Sequence, residues 1–319
     1  MIDVIIPAHE KESSTLELCV AAAKENIIGV KDVYVISKTK LTDNAIWFPE
    51  DRLPFSINDI AKKIGSHWRT GWYYGDLLEG CASLYVGGTS QYTLILDADT
   101  IFLRPVNLIE DGKVLFNTSP TDGTAVYNEY MRRLIPGLTP QHKHSGVVHW
   151  ILQENSIVRE MISMVEDIHK KDFWKAALDV ACQKYDCLPE GERWQSCELG
   201  PGKMASFELY FTYALKNHPN KVKVKNQKSI LAYKESLGFP GYTRTDVSRT
   251  NTQGKTKIFN DEELQKINFL EYPSLEEAIR NVCTLCTEKG WDVASFHSHF
   301  WIGLDDYKKL NSEYMQRQK

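Results

Sequence analysis

Leu94-Ile95-Leu96-Asp97-Ala98-Asp99-Thr100-Ile101-Phe102 is the stretch on which the reading of this chain turns. With Tyr92 and Thr93 in front of it, the apolar run reads as a short buried strand that ends abruptly in two carboxylates one residue apart. Carboxylates held close together repel and raise one another's pKa, so this is a costly ending for an apolar strand unless something neutralises the charge. A divalent cation does so, and hard oxygen donors suit Mg²⁺ or Mn²⁺. The plainer reading is a strand-end turn, where Asp is common.

Working outward, Val4-Ile5-Ile6 reads as a strand stopped by Pro7-Ala8-His9-Glu10. Leu16, Leu18, Cys19, Ala22 and Ala23 supply the apolar stripe of a helix, and Val33-Tyr34-Val35-Ile36-Ser37 reads as a second strand. Strands alternating with helices predict βαβ units and an α/β fold with a mostly parallel central sheet flanked by helices. Ligands of such sheets gather at the carboxyl ends of the strands. The polar tails His9-Glu10, Ser37-Lys38 and Asp97-Asp99 all fall on that edge.

Past residue 115 the pattern loosens into a loop-rich stretch through 120–123 and 136–140. Helical periodicity returns over 156–185 and 205–215. Residues 221–225 alternate as an edge strand whose charged outer positions guard against edge pairing. The polar, basic segment 240–257 reads as a mobile loop, 261–289 as a helix interrupted at Pro273, and 293–301 as a closing strand. With no repeat or linker in sight, 1–319 reads as one unit: a ligand-binding half over 1–115 and a second half over 116–319.

Composition narrows the classes further. The 42% hydrophobic and 25% charged residues of these 319 are ordinary for a chain that builds a core, which argues against disorder. Lys and Arg number 38 against 42 Asp and Glu, so no basic field points to nucleic acid. Seven unevenly placed cysteines do not make a disulfide scaffold and point to a reducing compartment. No apolar run approaches the roughly 18–20 residues needed to cross a bilayer, and no leader precedes Ile2. The expectation is a soluble, cytoplasmic protein.

A strand ending in Asp97-Ala98-Asp99, after a βαβ half that opens with Val4-Ile5-Ile6-Pro7-Ala8, resembles the metal-dependent nucleotide-sugar glycosyltransferases of the GT-A fold, a Rossmann-like architecture. More narrowly, five segments together resemble a glycosyltransferase-like family of bacteria and large DNA viruses, the chloroviruses among them. They are Asp3 to Glu10, Gly71-Trp72-Tyr73, Leu96 to Pro105, Ser145-Gly146-Val147-Val148-His149 and Phe207-Glu208-Leu209-Tyr210. The resemblance implies transfer of a sugar, such as xylose or a hexose, from a UDP-sugar donor to a hydroxyl of a glycan acceptor. It implies a Mn²⁺ or Mg²⁺ ion held by Asp99, with Asp97 on the metal or on the ribose and sugar. Pro7, Ala8 and His9 would border the nucleobase or ribose. A viral source would place the protein in host cytoplasm.

His297 and His299 lie two apart on an expected strand, so they share a face. Either could complete a metal shell, with His297 the first choice. Glu208, a carboxylate among aromatics in an early helical turn, is a candidate general base for an inverting transfer. Its plainer reading is a first-turn Glu favoured by the helix dipole, and Asp122 and Glu198 are alternatives to it. Gly146 would allow close backbone approach to a sugar. Arg69 is a candidate contact to phosphate or sugar, Trp72, Tyr73 and Tyr74 read mainly as helix packing, and Arg244, Arg249, Lys255 and Lys257 could close over a diphosphate. Cys283-Thr284-Leu285-Cys286 lacks a second pair at zinc spacing and reads as core thiols. Two other functions fit parts of the pattern. Asp-x-Asp-Thr after an apolar strand also resembles the nucleophile motif of the haloacid-dehalogenase-like phosphatases, although theirs lies near the start of its domain. A non-catalytic sugar-binding relative would keep the fold without turnover.

Overall fold

In the computed structural model the chain is described over residues 1–65, 70–87, 90–119, 125–183, 204–232 and 269–296, together with Lys308, Ser312 and Gln316. From the N-terminus, β1 (Ile2–Pro7), α1 (Ser13–Asn26), β2 (Val30–Ser37), β3 (Ile46–Pro49), α2 (Ile57–Ile64), α3 (Thr70–Cys81) and β4 (Tyr92–Leu96) build most of one sheet. Three short strands follow, β5 (Thr100–Phe102), β6 (Ile109–Glu110) and β7 (Lys113–Phe116), then α4 (Ala125–Leu134). Next come β8 (Trp150–Glu154), α5 (Asn155–His169), α6 (Phe173–Ala181), α7 (Ser206–Asn217), β9 (Val222–Val224) and β10 (Ser229–Ala232). A helix, here α8 (Leu275–Glu288), and β11 (Val293–Phe296) follow.

The principal sheet has the order β3-β2-β1-β4-β8. Its first four strands are mutually parallel and β8 runs antiparallel to β4. This is an α/β fold with a mostly parallel sheet flanked by helices, compatible with a Rossmann-like architecture. The apolar runs explain it. Val4, Ile5, Ile6, Leu94, Ile95 and Leu96 are all fully buried, as strands covered on both faces must be. From β1 the chain winds outward to β2 and β3, then crosses to the other side of β1 to make β4. The carboxyl ends of β1 and β4 therefore flank a topological switch point, where open sheets of this kind bind ligands.

The second half departs from expectation in three places. The stretch expected to be loop contains α4, whose Val126, Tyr130, Met131 and Leu134 are buried at helical spacing. The single helix expected over 156–185 is two, because Lys170 takes a left-handed φ of 53° and closes α5 before α6 begins. Over 261–289 the expected break at Pro273 is present and a helix follows it from Leu275, but before it Phe269–Glu271 form a 3-10 turn, with 261–268 outside the described residues. Ser274 caps the helix by accepting from Glu277 N at 3.2 Å. At 221–225 the expected edge strand is present as β9, and Lys223 and Lys225 both reach the Glu110 carboxylate.

A second core cluster joins the two halves. Leu18 and Ala22 of α1 meet Ile101 of β5, Ala278, Ile279 and Val282 of α8, and Phe296 of β11. β11 pairs antiparallel with β5, and the buried Thr100 and Ser295 hydroxyls lie 2.9 Å apart. The last described strand thus runs beside the residues that follow the carboxylate pair. No described helix is long and apolar enough to cross a membrane.

Candidate metal centre

β4 ends at Leu96, and Asp97-Ala98-Asp99 turns the chain into β5, with Thr100 N donating to Asp97 O at 3.1 Å. The turn is fixed from three sides. The Cys19 thiol of α1 reaches Asp97 O at 3.5 Å, Phe296 N of β11 donates to Asp99 O at 2.8 Å, and Asp97 N donates to His149 O at 3.0 Å. The last bond extends the antiparallel ladder. Leu96 faces Trp150 in register, so the next pair outward is Asp97 and His149. Opposed residues of an antiparallel pair project to the same face, and here the side chains meet, His149 Nδ1 lying 2.9 Å from Asp97 Oδ2.

Asp97, Asp99 and His149 together bring ligand atoms within 4.8 Å of one another, close enough to hold a metal ion. Asp99 is buried, while Asp97 and His149 remain partly open to solvent. Two hard carboxylates and one imidazole fit a divalent ion that accepts mixed oxygen and nitrogen donors. Burial works against a charged His149. The hydrogen bond that the ring donates to Asp97, with the charges of Asp97 and Asp99, outweighs it and holds the imidazole above its ordinary pKa. A proton on His149 and a cation in the cluster are thus two answers to the same excess of negative charge. Burial, reinforced by the charges of Asp76 and Asp97, also raises the Glu79 carboxyl, which favours its neutral form nearby.

Around this cluster α7 is a brace. Asp76 of α3 accepts from Ser206 N at 3.0 Å and from Ser206 Oγ at 2.9 Å, which caps the start of the helix. Two residues on, Glu208 Oε2 accepts from Ser145 Oγ and from Gly146 N, each at 2.6 Å, and Oε1 accepts from Thr212 Oγ1 at 3.2 Å. Burial raises the Glu208 carboxyl although these bonds and the His142 ring pull it down. At the other end of β8, Tyr210 OH accepts from Glu154 N at 2.7 Å.

Several expected site residues change character in this setting. Glu208, expected as a candidate base, is only 3% exposed, and both of its oxygens accept hydrogen bonds from neighbouring residues. Gly146 does permit a close approach, but of Phe211: a Cβ there would lie 2.4 Å from Phe211 Cγ. Pro7 and Ala8 end β1 as half-buried residues, with Ala8 N donating to Ile36 O. His9 caps a short 3-10 turn, its ring accepting from Lys11 N and its own N–H donating to Glu12. Tyr73 and Tyr74 pack in the core, as their spacing predicts.

His149 is the residue that sequence reading passed over. It lies inside the quoted segment 145–149, but nothing local marks it as a ligand, because its place follows from pairing with a strand 52 residues earlier. Arg69, Asp122, Glu198, His297, His299 and the basic residues Arg244, Arg249, Lys255 and Lys257 lie outside the described residues. The chain matches no family model and no curated protein sequence.

Proposed function

We propose that this chain is a metal-dependent transferase of the GT-A type, moving a sugar from a nucleoside diphosphate donor to a glycan hydroxyl. The observation that carries the reading is the position of the Asp97–Asp99–His149 cluster, at the carboxyl end of β4 beside the switch point with β1. An ion bound there supplies positive charge against the diphosphate that leaves as the sugar is transferred. Asp97, Asp99 and His149 would hold it, and the imidazole in the set favours Mn²⁺ over Mg²⁺. His297 is proposed as a further ligand; in its support, the described chain reaches the centre one residue earlier through the Phe296 N to Asp99 O bond. Pro7 and Ala8, at the end of β1, would border the nucleoside, and UDP follows from the resemblance alone. The inverting course expected from a free Glu208 base loses that support, since the carboxylate is engaged.

The phosphatase reading is weaker, because its nucleophile belongs near the start of a domain and Asp97 follows the fourth strand of the sheet. Thermal melts separate the possibilities. With Mn²⁺ present and UDP at about 100 times its Kd, stability should rise by about 2.7 kcal/mol, or roughly 5 °C for a chain of this size. Chelation or Asp99→Asn should remove the effect. UDP release from a UDP-sugar then distinguishes a transferase from a binding relative. Stabilisation by UDP that persists in chelator would sink the metal-dependent reading, and aryl phosphate hydrolysis lost in Asp97→Asn would replace it with the phosphatase.

A further inference from the structure

We infer that Glu208 is a positioning residue for the metal ligand His149, acting through the segment 145–149. This rests on the reading of Asp97, Asp99 and His149 as a metal centre and adds to it the device that aims the imidazole. Unlike the two carboxylates, which sit in a turn fixed by β4 and β5, His149 arrives at the end of an irregular segment. Its backbone carbonyl is held by Asp97 N, but what fixes the direction of the incoming chain lies on α7.

The clamp is built of consecutive contacts. Glu208 Oε2 accepts from both Ser145 Oγ and Gly146 N. Ser145 Oγ in turn accepts from Val147 N at 3.0 Å, which curls the segment toward Val148 and His149. Ser145 also pairs with Ser119 through two backbone bonds, 2.9 and 3.1 Å long, so the start of the segment is anchored to the strand side. Phe211, one helical turn past Glu208, closes on Gly146 so tightly that no side chain fits there. α7 itself cannot drift, because Asp76 holds Ser206 at its first turn. A carboxylate is the right group for the task. It accepts from two donors at one oxygen, and charge-assisted bonds of this length are about twice as strong as neutral ones. Oriented partners behind a ligating histidine are known to set how well a site holds its metal.

The test uses the full chain, Mn²⁺ titrated by its free-ion EPR signal well below the melting temperature, and the His149 ring Cε1–H NMR signal, assigned by its loss in His149→Ala. Glu208→Ala should weaken Mn²⁺ binding by about 10- to 100-fold and displace the His149 signal. Glu208→Gln, whose amide oxygen can accept from both Ser145 Oγ and Gly146 N while its NH2 donates to Thr212 Oγ1, should restore both to near the parent. In a His149→Ala background, Glu208→Ala should cost no further affinity, because the ligand it aims is gone. Should Glu208→Ala fail to fold, Ser145→Ala removes one bond of the clamp and should show the same displacement with a smaller loss. An unchanged His149 signal with unchanged affinity overturns the inference, as does a loss of affinity that persists in full without His149. If the parent protein binds no Mn²⁺, the metal reading falls, and the clamp still stands or falls on the His149 signal.

Discussion

Replacing Gly146 with Ala puts one methyl group where the structure has no room for it. The new Cβ would lie 2.4, 2.5 and 2.8 Å from Phe211 Cγ, Cβ and Cδ1, against an ordinary carbon–carbon contact of about 3.5–4 Å. A retreat of roughly 1 Å is therefore needed. Phe211 cannot supply it by changing rotamer, because its Cβ is among the offended atoms. Its ring is also packed against Phe116 with centroids 5.3 Å apart. Overpacking of this kind costs about 1–3 kcal/mol. If the segment moves instead, Glu208 loses the Gly146 N–H, a bond to a charged group worth about 1.5–3 kcal/mol. Either way about 1–3 kcal/mol is lost, a large share of the roughly 5–15 kcal/mol that holds a typical domain. Thermal unfolding should show a drop of roughly 2–6 °C at about 2 °C per kcal/mol. Gly71→Ala is the control: nothing lies within 4 Å of its Cβ, it sits in α3, and it should gain up to about 1 kcal/mol from helix propensity. A Gly146→Ala protein that melts within a degree of the parent would refute the argument, since α7 and the segment before β8 could not then be in contact as described.

Two further substitutions probe the brace around the centre. Burial pushes the Asp76 carboxyl up to about 6 in spite of its bonds from Ser206. Between roughly pH 4 and 6 the folded chain therefore holds a proton that the unfolded chain has released, and this residue's contribution to stability falls as pH rises through that window. Asp76→Asn should flatten the fall, which amounts to at most about 3 kcal/mol at roughly 1.4 kcal/mol per unit. Urea unfolding at pH 4 and pH 8 reads most of it, and a parallel pH dependence in both proteins would count against it. Tyr210→Phe leaves the buried Glu154 N–H without its acceptor and should cost about 1–3 kcal/mol. Because Tyr210 grips the end of β8 remote from His149, Mn²⁺ affinity should be unchanged; a matching loss of affinity would contradict that separation.

The strands that carry the carboxylates were legible because their signal is local. Val4 to Ile6 and Leu94 to Leu96 are uninterrupted apolar runs that only a doubly covered strand explains, and Asp97 and Asp99 stand directly behind one of them. His149 was not legible for the opposite reason. Its role depends on β8 adding to the sheet antiparallel beside β4, a pairing that no periodicity within either segment encodes. Glu208 stands out in the sequence for its apolar neighbours, but sequence does not reveal that three donors converge on it. α4 escaped notice between the Pro- and Gly-rich stretches at 120–123 and 136–140, whose turn chemistry masked a ten-residue amphipathic face.

The pairing of β5 with β11 gives the centre a place in time as well as in space. Thr100, adjacent to the carboxylate pair, is joined to Ser295 across 195 positions of chain, and contacts so remote in sequence are late and slow to form. During synthesis the first four strands can emerge and associate long before the strand that pins Asp99 has left the ribosome. An ion bound by Asp97, Asp99 and His149 would then sit in a turn that is complete only after β11 has been made. A lesion in α8, which packs with Ile101 and Phe296 in the second core cluster, would be felt as a delay in acquiring that ion.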